Sequence, residues 1–371
     1  MPAYIHQLEN WPHFTWDQDK IAHKLAEVRH HQGRLLGRME GMGFRLQAEA
    51  NLHTLTLDVL KSSEIEGEVL NPDQVRSSIA RRLGMDIAGL VPADRHVDGI
   101  VEMMLDATQN YSNLLTHDRL FGWHAAMFPT GRSGMHKIVV GHYRDNTPND
   151  PMQVVSGPMG KEKVHFQAPD SDVLQHEMTR LLDWFNADHK LDAVLKAALA
   201  HLWFVTIHPF DDGNGRIARA ITDMQLSRAD QSQQRFYSMS SQIRTERKEY
   251  YDILEKTQKG SLDVTEWLDW FLHCLDRALA NTNETLGAVL QKARFWEKHS
   301  AAALNDRQRV MLNKLLDGFE GKLTSSKWAK ITKTSQDTAG RDINDLLNKG
   351  ILIKEPGGGR STSYILKDMA D

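Results

Sequence analysis

The spacing of apolar positions predicts that this chain is mainly α-helical. Apolar residues recur at the helical period through about residues 17–110, as in helices with one buried face. Breaks are predicted at residues 67–72 and 89–92, where glycine and proline cluster. A further helix is predicted over about residues 192–207, and helical pattern continues from Arg216 to about residue 300.

Residues 135–169 have a different pattern, rich in valine, glycine and proline. The segments MHKIVVGHYR and MQVV have the composition of short strands, and DNTPNDP between them has that of a loop. We therefore predict a hairpin or a pair of extended arms. Helices resume after Ser171, a suitable N-cap for DVLQHEMTRLLDWFN.

The C-terminal part of the chain predicts a small domain of its own. Its predicted helices are residues 304–316, 325–331 and 335–348. The segment ILIKEPGGGRSTSYIL then has the pattern of two strands around a glycine-rich turn. Three helices followed by a hairpin are typical of a winged helix.

Composition narrows the class of protein. The 371 residues are enough for two or three domains, and 40% hydrophobic and 25% charged residues are typical of a soluble globular protein. The net charge of −4 argues against a general polyanion binder. We expect a cytoplasmic protein without a membrane partner, because no signal peptide or membrane span is apparent. The single cysteine, Cys274, is predicted to be buried.

One loop, in the segment HPFDDGNGRIAR, has the chemistry of an anion site. Gly213 and Gly215 allow backbone to approach a ligand closely, and they precede a predicted helix, whose N-terminus attracts anions. Arg216 and Arg219 lie three residues apart, so both side chains are able to face the same anion.

The same segment contains a candidate base and a candidate metal ligand. His208 is the residue type best suited to accept a proton near neutral pH, and Asp212 offers the hard oxygen ligands that Mg²⁺ prefers. Each residue alone also fits an ordinary turn; their occurrence together favours a site. His201, within the apolar helix, is instead predicted to be a hydrogen-bonded core residue.

This segment resembles the signature of the Fic family, His-x-Phe-x-(Asp/Glu)-Gly-Asn-Gly-Arg-x-x-Arg, at every specified position. The resemblance extends over about residues 95–280. It implies a mainly α fold: a Fic-type helical bundle with a β-hairpin flap, an N-terminal helical region and a C-terminal winged helix. We accordingly divide the chain into residues 1–94, a catalytic domain of residues 95–290, and a winged-helix-like domain of residues 301–371.

The resemblance implies a protein adenylyltransferase, which moves AMP from ATP to a protein hydroxyl and releases diphosphate. His208 would be the catalytic base, Asp212 would bind Mg²⁺, and Phe210 would anchor the loop. The implied ATP-binding residues are Gly213, Asn214, Gly215, Arg216, Arg219, Tyr250, Tyr251 and Gln258. The two tyrosines equally fit helix packing, and Gln258 stands where some relatives carry asparagine.

In relatives a hairpin called the flap aligns the target protein by strand pairing. Gly141-His142-Tyr143-Arg144 resembles one arm of that flap. The implied docking arm is Met152, Gln153, Val154 and Val155. An ordinary exposed hairpin explains the same sequence, and the target itself remains open.

A second resemblance lies near the N-terminus. The segment SSEIEG matches the Fic inhibitory motif (Ser/Thr)-x-x-x-Glu-(Gly/Asn) at Ser62, Glu66 and Gly67. Gly67 also suits the position just after the C-terminus of a helix. Three carboxylates lie near that end, where the helix dipole would favour cations instead. By resemblance, Glu66 would pair with Arg219 and occupy the γ-phosphate position. An exposed acidic helix end is the alternative.

The implied partners are ATP, an unidentified target protein and the chain itself, and a homodimer stays open. Residues 301–371 carry 12 basic and 9 acidic residues, which favours a protein-interaction role over DNA binding. The open alternatives are removal of AMP by the same site, transfer of phosphate from inverted ATP, and a DNA-binding regulator with a vestigial core. Intact Gly213 and Arg216 disfavour phosphate transfer.

Overall fold

The computed structural model divides into two compact units, Met1–Gly84 with Val91–Thr282, and Met85–Leu90 with Asn283–Asp371. The residues that the structure describes are 3–85, 89–147, 149–157, 161, 163–188, 190–319, 321–355 and 362–367, without the side chains of 283–286, 288–290 and 293. The division into three domains stays a prediction.

Helices dominate the larger unit. They are α1 (Gln18–Glu40), α2 (Phe44–Ile65), α3 (Pro72–Arg82), α4 (Arg95–Gln109), α5 (His117–Met127), α6 (Leu174–Asn186), α7 (Ala193–Ile207), α8 (Asn214–Asp230), α9 (Met239–Thr245), α10 (Arg247–Gln258) and the first part of α11 (Thr265–Lys298). Short 3₁₀ turns form at Ile5–Gln7 and Ser171–Val173. The predicted N-cap at Ser171 is wrong: α6 begins at Leu174, and the Ser171 hydroxyl donates to the carbonyl of Asn146.

The N-terminal helical region is interrupted at the two predicted breaks, residues 67–72 and 89–92, and at one further break. The predicted helix is interrupted at residues 41–43, where Gly41 is the C-cap of α1 and Gly43 the N-cap of α2. Apolar periodicity continues across this point because both helices bury one face. Cys274 is buried, as predicted.

Helix α7 lies at the centre of the larger unit. The predicted helix is confirmed, and burial extends around all of it, from Val194 to Ile207. A helix that is apolar all round is surrounded by other elements. The indole of Trp267 on α11, for example, donates to the carbonyl of Ala198 at 2.9 Å. The end of this rigid helix carries the candidate site.

The strand region differs from the prediction. Strand β1 (Arg132–Ser133) pairs with β2 (His136–Lys137), and β3 (Gln153–Ser156) pairs antiparallel with β4 (Lys163–Gln167). The hairpin is therefore formed by β3 with the segment that follows it. The residues of the other predicted arm, 141–144, form no strand, because Arg144 is bonded to the loop after α7.

The smaller unit contains α12 (Asp306–Leu316), α13 (Ser325–Thr332), α14 (Gln336–Asn348), β5 (Leu352–Lys354) and β6 (Tyr364–Leu366). These elements fall where the sequence predicts them, and the two strands pair antiparallel. Its core includes Trp328, Ile343 and Leu366. The glycine-rich turn lies outside the described residues, and the winged-helix assignment stays a prediction.

Within the described residues, none of the helices has both the length and the apolar composition needed to cross a membrane.

Helices α4 and α5 approach closely at a glycine. A Cβ on Gly99 of α4 would lie 1.8 Å from the carbonyl oxygen of Ala126 on α5. Gly122 of α5 also lies within a helix, but a Cβ there would meet nothing within 4 Å. The first glycine is therefore required by packing and the second is not.

We predict that Gly99→Ala lowers the free energy of unfolding by about 2–3 kcal/mol, because the two helices must separate to admit one methyl group. The matched control Gly122→Ala should raise it by about 0.5–1 kcal/mol, through helix propensity alone. Urea unfolding followed by circular dichroism measures both. Equal effects of the two variants would contradict this account of the α4–α5 contact.

Candidate active site

The loop between α7 and α8 begins with a strained histidine. His208 has a left-handed backbone with φ of 51°, which is costly for a residue with a Cβ. Its N–H donates to the carbonyl of Phe204 at 2.9 Å, and its ring Nδ1 lies 3.3 Å from the carbonyl oxygen of Val205. With the proton on Nδ1, Nε2 is left as an acceptor.

Arg144 holds this strained backbone in place. Its Nε donates to the carbonyl of His208 at 2.8 Å, and its N–H donates to the carbonyl of Pro209 at 3.0 Å. A further guanidinium nitrogen donates to the carbonyl of Pro169 at 2.5 Å. This buried cation thus fixes the start of the loop from several sides.

The middle of the loop is clipped to the start of α8. The side chain of Asn214 accepts from the N–H of Phe210 at 3.0 Å and donates to its carbonyl at 2.7 Å. Phe210 is fully buried and stacks on His124, with ring centroids 4.3 Å apart. The amide of Asn214 therefore braces the loop from both sides of Phe210.

His124 is a second support. Its Nδ1 accepts from the N–H of Gly141 at 3.1 Å, and its Nε2 donates to the carbonyl of Asp212 at 3.2 Å. Burial lowers the pKa of His124 to about 4, so the ring is neutral at physiological pH.

A cavity of about 870 Å³ opens beside this loop. The predicted residues on its wall are Glu66, Met152, Gln153, Val154, Val155, His208, Asp212, Asn214, Gly215, Tyr250, Tyr251 and Gln258. The wall therefore joins the loop, the start of α8, strand β3 and α10. In its described part the wall does not include Arg216 or Arg219, which lie behind acidic side chains.

Arg219 is paired with the end of α2. Its Nη2 lies 2.8 Å from Oε1 of Glu66, and its Nε donates to the hydroxyl of Ser62 at 2.8 Å. Its Nη1 is buried, with no hydrogen-bond partner in the part of the chain that the structure describes. Gly67 adopts φ of 87° and ends α2, as predicted from its type. The predicted contact between Glu66 and Arg219 is thus present; its inhibitory meaning stays a prediction.

The glycines of the loop have separate roles. Gly213 adopts φ of 82°, and a Cβ there would lie 3.0 Å from atoms of Met127 and Phe128. A Cβ on Gly215 would lie 2.1 Å from Oε1 of Glu66. Gly213 therefore permits the turn, whereas Gly215 leaves room for an anionic group at the N-terminus of α8. Helix α8 begins at Asn214, two residues earlier than predicted.

Arg216 is paired with a different carboxylate. Its Nη1 lies 2.9 Å from Oε2 of Glu68, and the other oxygen of Glu68 contacts Nε2 of His96. Arg216 also lies over the ring of Phe128, and no described residue forms a hydrogen bond with its Nε. Both arginines of the motif thus have an acidic partner from one short segment.

The opposite wall is aromatic. Tyr251 is partly exposed and faces the guanidinium of Arg247, whereas the hydroxyl of Tyr250 is buried 2.8 Å from Nε2 of His201. His201 also contacts the hydroxyl of Thr222 at 2.9 Å, so it is the satisfied core histidine that the sequence predicts. The amide of Gln258 donates to Thr206 at 3.3 Å.

The environment of His208 sets its protonation. Burial lowers the pKa of His208 to about 4, the nearby charge of Arg144 acts in the same direction, and the Val205 carbonyl and the carboxylates of Glu66 and Asp212 oppose the shift in part. The imidazole is therefore neutral near pH 7 and able to accept a proton.

Asp212 fits a magnesium ion held mainly by phosphates. Its carboxylate is 42% exposed, bonds Ser133 and the N–H of Gly213, and lies 4.0 Å from Nη2 of Arg216. No described group of three or more ligating side chains forms a complete metal site. Mg²⁺ bound with a nucleotide needs only one or two carboxylates, because phosphates and waters supply the rest.

Sequence reasoning missed the supporting residues His96, His124, Arg144 and Arg247. His96, His124 and Arg144 reach the site from distant parts of the chain, so no local spacing indicates them. Arg247 lies four residues before Tyr251 on α10, and that helical spacing was the available signal for it. Arg144 was assigned to a flap arm instead. The three crowded carboxylates near Gly67 were a signal for Glu68, but only Glu66 matched a motif.

Comparisons with known proteins relate the central region of the chain to one protein family. Residues 114–226 match the model of the Fic/DOC family, and residues 4–85 match a domain of unknown function (DUF4172). The chain is 27% identical over 227 residues to the protein adenylyltransferase Fic of Culex quinquefasciatus, and 26% over 232 residues to that of Drosophila melanogaster. Each match covers 60% of this chain but only 40% of the relative's length.

Solved structures show the same fold. A Fic family protein from Desulfovibrio desulfuricans G20 aligns with a TM-score of 0.52 at 20% identity, covering 96% of this chain and 98% of that one. A Fic domain containing signaling protein from Bacteroides thetaiotaomicron aligns with a TM-score of 0.50 at 20% identity, covering 72% and 97%. The fold is therefore mainly helical and of the Fic type, with a Fic domain over residues 114–226.

We predict that His124 makes stability depend on pH. Its folded pKa lies below the unfolded value of 6.5, so its contribution is complete above about pH 6.5 and is lost as pH falls towards 4. Between about pH 7 and pH 5 the loss approaches about 2 kcal/mol.

His124→Gln should reduce this slope, measured as the free energy of unfolding in urea at several pH values. His23→Gln, on the exposed face of α1, controls for the loss of one histidine. Parallel pH curves for wild type and His124→Gln would contradict the prediction.

Proposed function

We propose that the protein transfers AMP from ATP to a hydroxyl side chain of a protein, itself included. The observation that carries this proposal is one cavity wall on which a neutral imidazole, an exposed carboxylate and the N-terminus of α8 meet. His208, Asp212 and Gly215 supply these groups. Behind them lie two buried guanidinium groups, those of Arg216 and Arg219, each with one nitrogen that has no hydrogen-bond partner among the described residues.

The chemistry follows from the chain's own groups. Nε2 of His208 accepts the proton of the acceptor hydroxyl, whose oxygen attacks the α-phosphorus of ATP. The bond to the β-phosphate bridging oxygen breaks and diphosphate leaves. Arg216, Arg219 and the first turn of α8 stabilise the phosphate charge, so catalysis is mainly positioning and electrostatics. Bound Mg²⁺, held by Asp212, would neutralise phosphate charge.

The low pKa of His208 is compatible with this role. It belongs to a site without a nucleotide, in which burial opposes the charged imidazole. A triphosphate brings several negative charges beside the ring, and such charges raise the pKa of a neighbouring histidine. The base thus strengthens when its substrate is present.

We further propose that strand β3 docks the target protein. Strand β3 pairs with β4 on one edge, and within the described residues its other edge has no strand partner. Gln153 and Val154 lie on the cavity wall, so an added strand would run past the site. Main-chain pairing makes few demands on target sequence, so the target stays unspecified.

We also propose that Glu66 inhibits the site. Its carboxylate occupies the free space above Gly215 and neutralises Arg219, and a γ-phosphate needs the same partners. Hydrolytic removal of AMP is a second candidate function, because Glu66 lines the same cavity as His208 and is able to orient a water molecule.

For the smaller unit we propose a winged-helix module that contacts protein. Helix α14 directs Asp342 to Arg307 at 2.8 Å and Asp345 to Lys349. Cations engaged in this way are less available to a phosphate backbone.

The direct test is incubation of the full chain with α-labelled ATP and Mg²⁺. We expect Glu66→Gly to increase self-labelling by at least about tenfold, since it frees Arg219, and His208→Ala in that background to abolish it. Tyr111→Phe, which removes a hydroxyl outside the cavity wall, is a control for general perturbation.

The position of the labelled phosphate in ATP distinguishes the candidate reactions. Transfer of the γ-label instead of the α-label would replace AMP transfer by phosphate transfer. Release of AMP from an AMP-bearing protein without labelling from ATP would favour the hydrolytic reaction. Absence of labelling from both positions in Glu66→Gly would refute the transferase proposal.

A further inference from the structure

Glu68 bridges two basic side chains at the edge of the site. Its Oε2 lies 2.9 Å from Nη1 of Arg216, and its Oε1 contacts Nε2 of His96. Nδ1 of His96 lies 2.8 Å from the carbonyl of Met127. Both ring nitrogens therefore face acceptors, which suits the protonated imidazole. Glu68 raises the pKa of His96 through this hydrogen bond.

The turn at the end of α2 directs two carboxylates to one helix. Gly67 takes the left-handed conformation, and the N–H of Glu68 returns to the carbonyl of Ser63 at 3.0 Å. This closing turn reverses the chain. Glu66 then reaches Arg219, while Glu68 reaches Arg216 one helical turn earlier on α8.

The third carboxylate of this segment behaves differently. Glu64 lies 2.8 Å from Nζ of Lys61 and 3.4 Å from Nε of Arg244. It contacts neither arginine of the phosphate loop. The segment thus contains two carboxylates on the loop arginines and one on cations outside that loop. Because Arg244 lines the cavity, Glu64 serves as a control for a change of charge at the cavity wall.

We propose that Glu68 is a second carboxylate that competes with the nucleotide, and that His96 is its positioning residue. This inference rests on the proposed function. Arg216 and Arg219 are both buried, and each has an acidic partner in place of a phosphate. A triphosphate must displace Glu68 from Arg216 as well as Glu66 from Arg219. A nucleotide without β- and γ-phosphates need displace neither.

Glu68 competes with the phosphates for Arg216 through its negative charge and not through its shape. Glu68→Gln keeps the size and one hydrogen-bond acceptor but removes the negative charge that holds Arg216. A charged hydrogen bond to a buried guanidinium is strong enough for its loss to change affinity about tenfold. We therefore expect Glu68→Gln to bind ATP about tenfold more tightly, with AMP affinity changed by less than about twofold.

The experiment measures dissociation constants for ATP with Mg²⁺ and for AMP by titration calorimetry. A His208→Ala background prevents turnover in all proteins. Glu64→Gln is the matched control, since it removes one negative charge from the same segment, and we expect it to change neither affinity. Glu66→Gly is the positive control.

His96→Gln supplies a readout that a structural role would not move. Protonated His96 holds Glu68 in place below its raised pKa, and this hold is lost as pH rises. The groups that face the ring are Glu68, the carbonyl of Met127 and Arg216, and the last of these opposes protonation. We expect ATP affinity to rise with pH in the His208→Ala protein, and this dependence to weaken in His96→Gln.

The outcomes separate the two proposals. Suppose that Glu66→Gly binds ATP tightly but that the ATP dissociation constant of Glu68→Gln equals that of Glu64→Gln. The role of Glu68 is then refuted and the proposed function stands. Equal tightening of ATP and AMP by Glu68→Gln also refutes it, since general loosening would then be the cause. If Glu66→Gly binds no ATP, both proposals fall. Thermal unfolding shows whether Glu68→Gln is misfolded. If it is, the pH dependence of ATP affinity in His96→Gln tests the role of Glu68 in its place.

Discussion

The site depends on the burial of two guanidinium groups, above all that of Arg219. Its side chain is only 2% exposed, and a buried cation without an anion is severely destabilising. Glu66 and Ser62 supply the acceptors in this structure. Under the proposed function, phosphate oxygens replace Glu66. The same constraint therefore both stabilises the resting chain and creates the affinity for an anion.

The rigidity of α2 makes Glu66 an effective partner. Asp58 of α2 bonds Ser238, and burial raises the pKa of Asp58 well above its ordinary value. Asn51 of the same helix accepts from the N–H of Arg235 at 2.8 Å. The end of α2 is held separately, because Arg247 donates to the carbonyl of Ile65 at 2.7 Å.

Arg235 also connects this anchor to α8. It lies 3.0 Å from Asp223 and 3.2 Å from Asp230, so the helix that bears the loop arginines shares a buried network with α2. Displacing Glu66 therefore does not require α2 to leave. Rotation of the Glu66 side chain removes its carboxylate from Arg219 without moving α2, and the hydroxyl and carbonyl of Ser62 remain as acceptors for Arg219.

Sequence reasoning succeeded where chemistry is local and failed where it is not. The helix ending at residue 207 and the glycine turn follow from short local segments, whereas the contact between Glu66 and Arg219, which are 153 residues apart, is expected only from the family resemblance. The partner of β3 was wrong because MHKIVVGHYR has strand composition, while Arg144 within it is bonded to loop carbonyls. Tertiary hydrogen bonds override propensity there. His124 could not be found, because its partners are distant in sequence.

The part of the site around His208 is held by more internal contacts than the part around Arg216 and Arg219. On the base side, Arg144 and His124 brace a strained His208 backbone, and Asn214 closes the loop. None of these contacts involves a nucleotide, so the base is already placed. On the other side, Arg216 and Arg219 are paired with the carboxylates of Glu68 and Glu66. Under the proposed function, inhibition by these carboxylates would act on the pose of the triphosphate and leave the proton acceptor intact. In that proposal, a nucleotide that displaced the carboxylates would meet a site already arranged for reaction, because packing balances the strain in the loop beforehand.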